Sequence, residues 1–165
     1  MVKWLIFSVL FCTTLQSFAQ KNKVPVYELD KINGLYYQRN TIDPFTGMAI
    51  DEHVNGQKKL NIPIKDGKVD GVAKEWNMNG DKIYEASFEN GIQIGTETQW
   101  YATGDKKLEL NYVNGQPDGI CTEWHKNGQK KSEGLFKNGK EEGEHNWWYS
   151  GRESQATTSR YLFFF

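Results

Sequence analysis

Short runs of alternating apolar and polar residues, set between turn dipeptides, fill most of this chain. Tyr84, Ala86 and Phe88 alternate with Glu85, Ser87 and Glu89; Leu108, Leu110 and Tyr112 alternate with Glu109, Asn111 and Val113. A period of two gives an extended strand one apolar and one mostly polar face, so these runs predict half-buried antiparallel strands. Turn signals bracket them. One series is Asn55-Gly56, Asn79-Gly80, Thr103-Gly104 and Asn127-Gly128; a second is Asp66-Gly67, Asn90-Gly91, Asn114-Gly115 and Asn138-Gly139. Asn-Gly and Asp-Gly are preferred in the two-residue type I′ hairpin, where both residues need positive φ. Type I′ turns are therefore expected in both series.

Each series advances by 24 residues, and so does a third, Gly47, Gly71, Gly95, Gly119 and Gly143. Three series locked in phase mark a repeat architecture. The units run 47–70, 71–94, 95–118 and 119–142, with a partial copy over 143–148. Each reads as strand, turn, strand, turn, with a tight link such as residues 115–119. Trp76, Trp100, Trp124 and Trp148 hold one place in successive units. Phe88, Tyr112 and Phe136 hold another, with Ile64 as the first-unit equivalent. Stacked hairpins are expected to line these rings into ladders along one face, and buried aromatic pairs contribute roughly 0.5–1.5 kcal/mol beyond their area. The expected fold is all-β, a single-layer antiparallel meander of stacked hairpins.

The two ends differ from the array. Lys3, a largely apolar stretch over residues 4–15 and Ser17-Phe18-Ala19 have the layout of a secretory signal peptide, too short to span a bilayer. Residues 1–19 are therefore expected to be removed and 20–46 to lead into the repeats. Cleavage leaves Cys121 as the single thiol, so no internal disulfide is expected. Residues 149–165 form an atypical end: Gly151 comes one residue early, and 153–160 show neither strand alternation nor a second Asn-Gly. A cap and a truncated or frameshifted end would both look like this. The last five residues, Tyr161-Leu162-Phe163-Phe164-Phe165, form an apolar tail.

The unit Gly-x-x-x-x-Trp-x-x-Asn-Gly-x-Lys, an aromatic late in the second strand, then Asn-Gly-x-x-x-Gly, resembles the bacterial variant of the MORN repeat. The stretch from Asn33-Gly34-Leu35-Tyr36-Tyr37 to Pro44-Phe45-Thr46-Gly47 resembles the lead-in that opens such arrays. The similarity covers about residues 29–148. It implies a β-hairpin array without enzyme activity. Many members are labelled antitoxin-like, which implies protein binding, and other MORN proteins are linked to membranes and to scaffolding.

Composition adds little that would redirect this reading. A formal net charge of −1 gives no reason to expect a nucleic acid. His53, His125 and His145 lack metal-ligand spacing with any Cys or carboxylate pair, and are expected to be solvated strand residues. No Gly-x-Ser-x-Gly context or phosphate-cradling loop is present. No catalytic residue, cofactor or metal is expected. Asp118, Glu141 and Glu142 read as charged surface links. The residues left over by the repeat are Tyr101, Trp147 and Tyr149, which lie off the tryptophan ladder and form a possible ligand surface, against cross-strand packing as the plainer reading. The pairs Lys58-Lys59, Lys106-Lys107 and Lys130-Lys131 would line one edge, attracting anionic lipid or simply keeping the sheet soluble. The expected role is an exported binding or scaffold module in the periplasm, at the cell surface or in the medium. Its expected partner is another protein; an envelope glycan or anionic lipid surface, or a toxin, is the alternative.

Overall fold

The computed structural model describes residues 23–150 and the strand 156–160. The expected signal peptide, Gly151 and the 161–165 tail lie outside the described residues. The strands are β1 (Lys23–Pro25), β2 (Leu29–Ile32), β3 (Leu35–Gln38), β4 (Gly47–Glu52), β5 (Lys58–Lys65), β6 (Lys68–Val69), β7 (Gly71–Trp76) and β8 (Lys82–Glu89). They continue as β9 (Ile92–Trp100), β10 (Lys106–Val113), β11 (Gln116–Pro117), β12 (Gly119–Trp124), β13 (Lys130–Lys137), β14 (Lys140–Trp148) and β15 (Ala156–Arg160). One 3-10 turn, Val26–Glu28, follows β1.

Thirteen of these strands form one sheet in the order β1-β4-β5-β7-β8-β9-β10-β12-β13-β14-β15, with β6 and β11 as short flaps on β5 and β10. Pairing is antiparallel throughout except for β1 against β4. The sheet is the single-layer meander that the alternation predicts, two long strands per 24-residue step.

The two turn series differ from each other. Asp66, Asn90, Asn114 and Asn138 all have φ between 48° and 51°, followed by glycines near 80°, so this edge carries type I′ turns. In the other series only Gly56, Gly80, Gly104 and Gly128 are left-handed. There the Gly80 N–H donates to the Asn77 carbonyl at 3.0 Å, and the Asn77 N–H donates to the Asp81 carbonyl at 2.9 Å. Three residues, Met78 to Gly80, therefore lie inside the loop. This is a type I turn closed by a glycine bulge, not the two-residue turn expected from Asn-Gly alone. Thr103 in this series carries the hint, because a β-branched residue resists positive φ.

The rings occupy opposite faces rather than one. Pairing of Ala73 with Ala86 and of Gly71 with Phe88 puts Tyr84, Ala86 and Phe88 on one side. Alternation then sends Trp76 to the other. We call these the apolar face and the tryptophan face. The expectation that both ladders share one face fails because Trp and Phe stand at positions of opposite parity once the unit is folded back at its turn.

One layer buries little. The described residues include no large side chain below 2% exposure, and the deepest apolar cluster is Val24, Phe45, Ala49 and Ile64, flanked by Val26, Leu29, Tyr36 and Ile62. Residues 23–46 thus fold over the first repeat: the Tyr36 N–H donates to the Gly67 carbonyl and the Gly67 N–H to the Phe45 carbonyl, both at 2.8 Å. At the other end, β15 pairs with β14 from Trp148↔Ala156 to Glu144↔Arg160. The sequence reading assigned no strand there. A strand docking on an open edge needs backbone N–H and C=O groups, which β14 supplies, rather than an amphipathic pattern.

Candidate functional site

On the tryptophan face each ring is covered by a lysine from the preceding unit. Lys58, Lys82, Lys106 and Lys130 place Nζ 5.9, 4.3, 5.7 and 5.9 Å from the ring centroids of Trp76, Trp100, Trp124 and Trp148. Three of these lysines also pair with a glutamate three residues on: Lys82 with Glu85, Lys106 with Glu109, and Lys130 with Glu133. Lys82 beside Glu85 holds that carboxyl below the usual range. The second lysines of the pairs turn elsewhere, Lys59 to Asp51 at 2.7 Å and Lys131 to Glu123 at 2.6 Å. These lysines, Lys107 not among them, are therefore engaged in cation–π and ion-pair contacts within the sheet.

The margin carrying the bulged turns is sewn by side chains. Residues 53, 77, 101, 125 and 149 are equivalent in the repeat. His53 Nε2 lies 2.8 Å from the Trp76 carbonyl, the Tyr101 hydroxyl donates to the Trp124 carbonyl at 2.7 Å, and His125 Nε2 lies 2.8 Å from the Trp148 carbonyl. His53 and His125 are thus half-buried links between neighbouring hairpins rather than solvated strand residues. Asn77 instead binds its own turn, accepting from the Asn79 and Asp81 N–H groups. Tyr101→Phe removes one such link without changing shape. The expected loss is about 1 kcal/mol, seen as a lowered urea midpoint, with Tyr149→Phe unchanged because Tyr149 is 69% exposed.

Tyr101, Trp147 and Tyr149 are not brought together. Tyr101 is such a link, and Tyr149 projects at the last copy of the same position. Trp147 lies on the apolar face, stacked on His145 with ring centroids 4.1 Å apart and planes at 14°. Ser132 pairs with Trp147, and Gly134 lies under His145, where a Cβ would come within 2.9 Å of the ring. Small residues in β13 thus make room for two large ones in β14. Asp118 accepts from the Asn138 N–H at 3.3 Å and from Lys137 at 3.2 Å, the lysine contact lowering its carboxyl pKa, so it caps the next turn.

The sequence reading missed Glu97. Residues 49, 73, 97, 121 and 145 are equivalent, and the series reads Ala, Ala, Glu, Cys, His along the middle of the apolar face. Glu97 is 8% exposed and accepts from the Gln93 and Gln99 side-chain amides, both at 2.8 Å. Comparing the copies column by column would have found it, since a carboxylate at an alanine position breaks the column. Its neighbours respond. Burial, with Glu97 as second cause, pushes the Tyr84 hydroxyl up to about 12 and raises that of Tyr112. Burial pushes the Cys121 thiol up to about 11.

These shifts have a definite sign. Both Tyr84 and Cys121 are neutral acids in the folded chain, with ordinary values of 10.0 and 9.0. Their contribution is complete below the unfolded values and is lost as pH rises toward the folded ones. The urea midpoint is expected to fall between about pH 9 and 12, and to fall less up to pH 11 in Cys121→Ala. Parallel falls in the two proteins would show that the thiol is not a cause.

Among the described residues no group of three or more His, Cys, Asp or Glu is placed to hold a metal ion, and no helix is long and apolar enough to cross a membrane. Among curated proteins, none matches this chain. Residues 93–114 and 117–138 match the family model described as MORN repeat variant. The two matched stretches are the β9–β10 and β11–β13 steps of the sheet. Over residues 93–138 this chain is built of MORN-variant repeats, the family its spacing resembles.

Proposed function

We propose that this protein is an exported, non-catalytic binding or scaffold module that offers the apolar face of its sheet to another protein at the cell envelope. Repeats of this family suggest such a role. The observation that carries the reading is a one-layer sheet with no second sheet against its apolar side among the described residues, where Tyr84, Phe88, Leu108 and Tyr112 remain only half-buried. Monomeric proteins rarely leave a contiguous apolar face of this kind uncovered, and such faces mark interaction sites. The tryptophan face exposes Val72, Ile120 and Leu135, but these are single aliphatic side chains set among rings already covered by lysines, without the aromatic surface of the apolar face.

Two measurements test this reading. N-terminal sequencing of the secreted chain is expected to begin at Gln20. A photo-crosslinking residue at position 112 is expected to capture a protein from the native envelope fraction, while the same residue at 109, on the other face, captures none. Recovery of an intact leader, or equal capture from both faces, would count against the proposal.

A further inference from the structure

The apolar face carries a feature that a plain hydrophobic contact does not need. Glu97 lies at its centre, buried, and Glu75 lies on the neighbouring hairpin. Glu75 stands directly opposite Tyr84 in the β7–β8 pairing, and both carboxylates act electrostatically on the Tyr84 hydroxyl. Next to it is a shallow cleft of about 190 Å³ lined by Leu60, Ile62, Val69, Glu75, Tyr84 and Phe88, among others. Removing a carboxylate from water costs several kcal/mol unless a counter-charge or a full set of donors compensates. Glu97 has neutral donors, the amides of Gln93 and Gln99.

The acids at the repeat position of Glu75 are treated differently elsewhere. Asp51, Glu75, Gln99 and Glu123 are equivalent positions, and Asp51 and Glu123 are paired with Lys59 and Lys131. Beside Glu75 the corresponding lysine is replaced by Ile83. No described lysine or arginine forms a salt bridge with Glu75 or Glu97. Lys59, which feels Glu75, is held by Asp51, and Lys74, which also lines the cleft, is paired with Glu85 at 3.4 Å. The centre of the apolar face is therefore aromatic, apolar and negatively charged, with its cations committed elsewhere.

Resting on the binding role proposed above, we infer that this centre is a receptor for a basic side chain of the partner protein. An arginine or lysine lies over Tyr84 between Glu75 and Glu97, and an apolar side chain two residues away in an extended segment fills the cleft beside Phe88. Aromatic faces attract cations, the more so where water is excluded, and the two carboxylates supply the complementary charge. A free small amine would satisfy the charge but leave the cleft empty, so the occupant is a peptide segment. The neutral Gln93 and Gln99 amides hold the Glu97 carboxylate in place, as a preorganised site requires.

The test uses the full mature chain and a blocked peptide, leucine–serine–arginine–serine–leucine, whose extended form puts the arginine and both leucines on one side. Its control has citrulline in place of arginine. Binding is followed by the NMR ring signals of Tyr84 and Tyr112. The arginine peptide is expected to shift both rings and the citrulline peptide neither, with Glu97→Gln weakening binding about tenfold, since hydrogen bonds to charged groups contribute roughly 1.5–3 kcal/mol. Glu109→Gln, on the opposite face, should leave affinity unchanged. Equal binding of the two peptides, no binding of either, or wild-type affinity in Glu97→Gln overturns the inference. The crosslinking at position 112 reports separately on the wider role: capture there with a failed peptide test leaves the binding face standing without its basic ligand.

Discussion

Deleting residues 95–118 is expected to leave a chain that folds, while deleting 95–119 is expected to abolish cooperative folding. The first cut removes one full step and joins Ile94 to Gly119, so β12 takes the place of β9 against β8. Trp124 then comes under Lys82, as Trp100 does now. Cys121 comes opposite Ala86, where Glu97 stands at present. Because each hairpin bonds only its neighbours along the sheet, stability is close to a sum over units and seams, and one unit can be lost. The second cut removes a single residue more. It moves every later side chain to the opposite face, sending Trp124 and Trp148 toward the apolar side and Leu135 in place of Gly134. It also removes the left-handed glycine at the start of the strand, where Gly119 has φ 121°. Thermal unfolding followed by tryptophan fluorescence distinguishes the two: one sigmoidal transition, at a lower temperature than the parent, against a broad drift. A cooperative transition in both would mean that face parity does not govern assembly of this sheet.

Replacing Gly134 by leucine, the residue that the preceding unit carries as Leu110, is expected to be strongly destabilising. The site looks permissive from the repeat pattern, yet the imidazole of His145 fills the space, and a Cβ alone would lie 2.9–3.0 Å from three of its ring atoms. The ring cannot slide away cheaply because it is stacked on Trp147. Overpacking of this kind costs typically 1–3 kcal/mol, and the displaced stack adds to it, so a loss of about 3 kcal/mol in the urea-derived stability is expected. Installing His145→Cys together with Gly134→Leu copies the Leu110–Cys121 combination of the previous step. The double variant should regain at least about 1 kcal/mol relative to the sum of the single changes. Strict additivity would show that the clash is relieved by backbone movement instead.

The fold was legible because the chain states its rule four times over. Alternation identified the strands, the 24-residue step gave their stacking, and the two dipeptide series located the turns. What escaped were properties that one residue of offset decides. Asn79-Gly80 and Asn90-Gly91 look alike in sequence, but the first closes a three-residue loop with a bulge and the second a two-residue one. Trp76 and Phe88 face opposite sides because Gly71 stands opposite Phe88 and Trp76 lies five residues, an odd number, further along its strand. Residues 156–160 escaped because pairing with β14 makes use of backbone groups, which no side-chain pattern reports. For the candidate site, the sequence sets apart the residues that the repeat does not explain, Tyr101, Trp147 and Tyr149. The structure directs it to Glu97, a residue standing where the repeat predicts something else. His53, Tyr101 and His125 were opaque for a related reason: their partner is a main-chain carbonyl 23 residues later, and carbonyls are invisible to composition.

The two margins of the sheet are joined by different means. Along the type I′ margin, the N–H groups of Gly67, Gly91, Gly115 and Gly139 donate to the carbonyls of Phe45, Val69, Gln93 and Pro117 at 2.7–2.9 Å. These bonds run main chain to main chain, so they ask nothing of the side chains at the joined positions. The opposite margin closes through side chains: His53, Tyr101 and His125, together with Asn55, whose Nδ2 donates to the Met78 carbonyl at 2.7 Å, while Asn77 binds its own turn instead. A gene that lengthens by copying 72 bases at a time inherits the first seam with every new copy, provided that the left-handed turn glycine is kept. The second seam must be kept by selection on the side chains that close it, and drift there is where such an array would first begin to open.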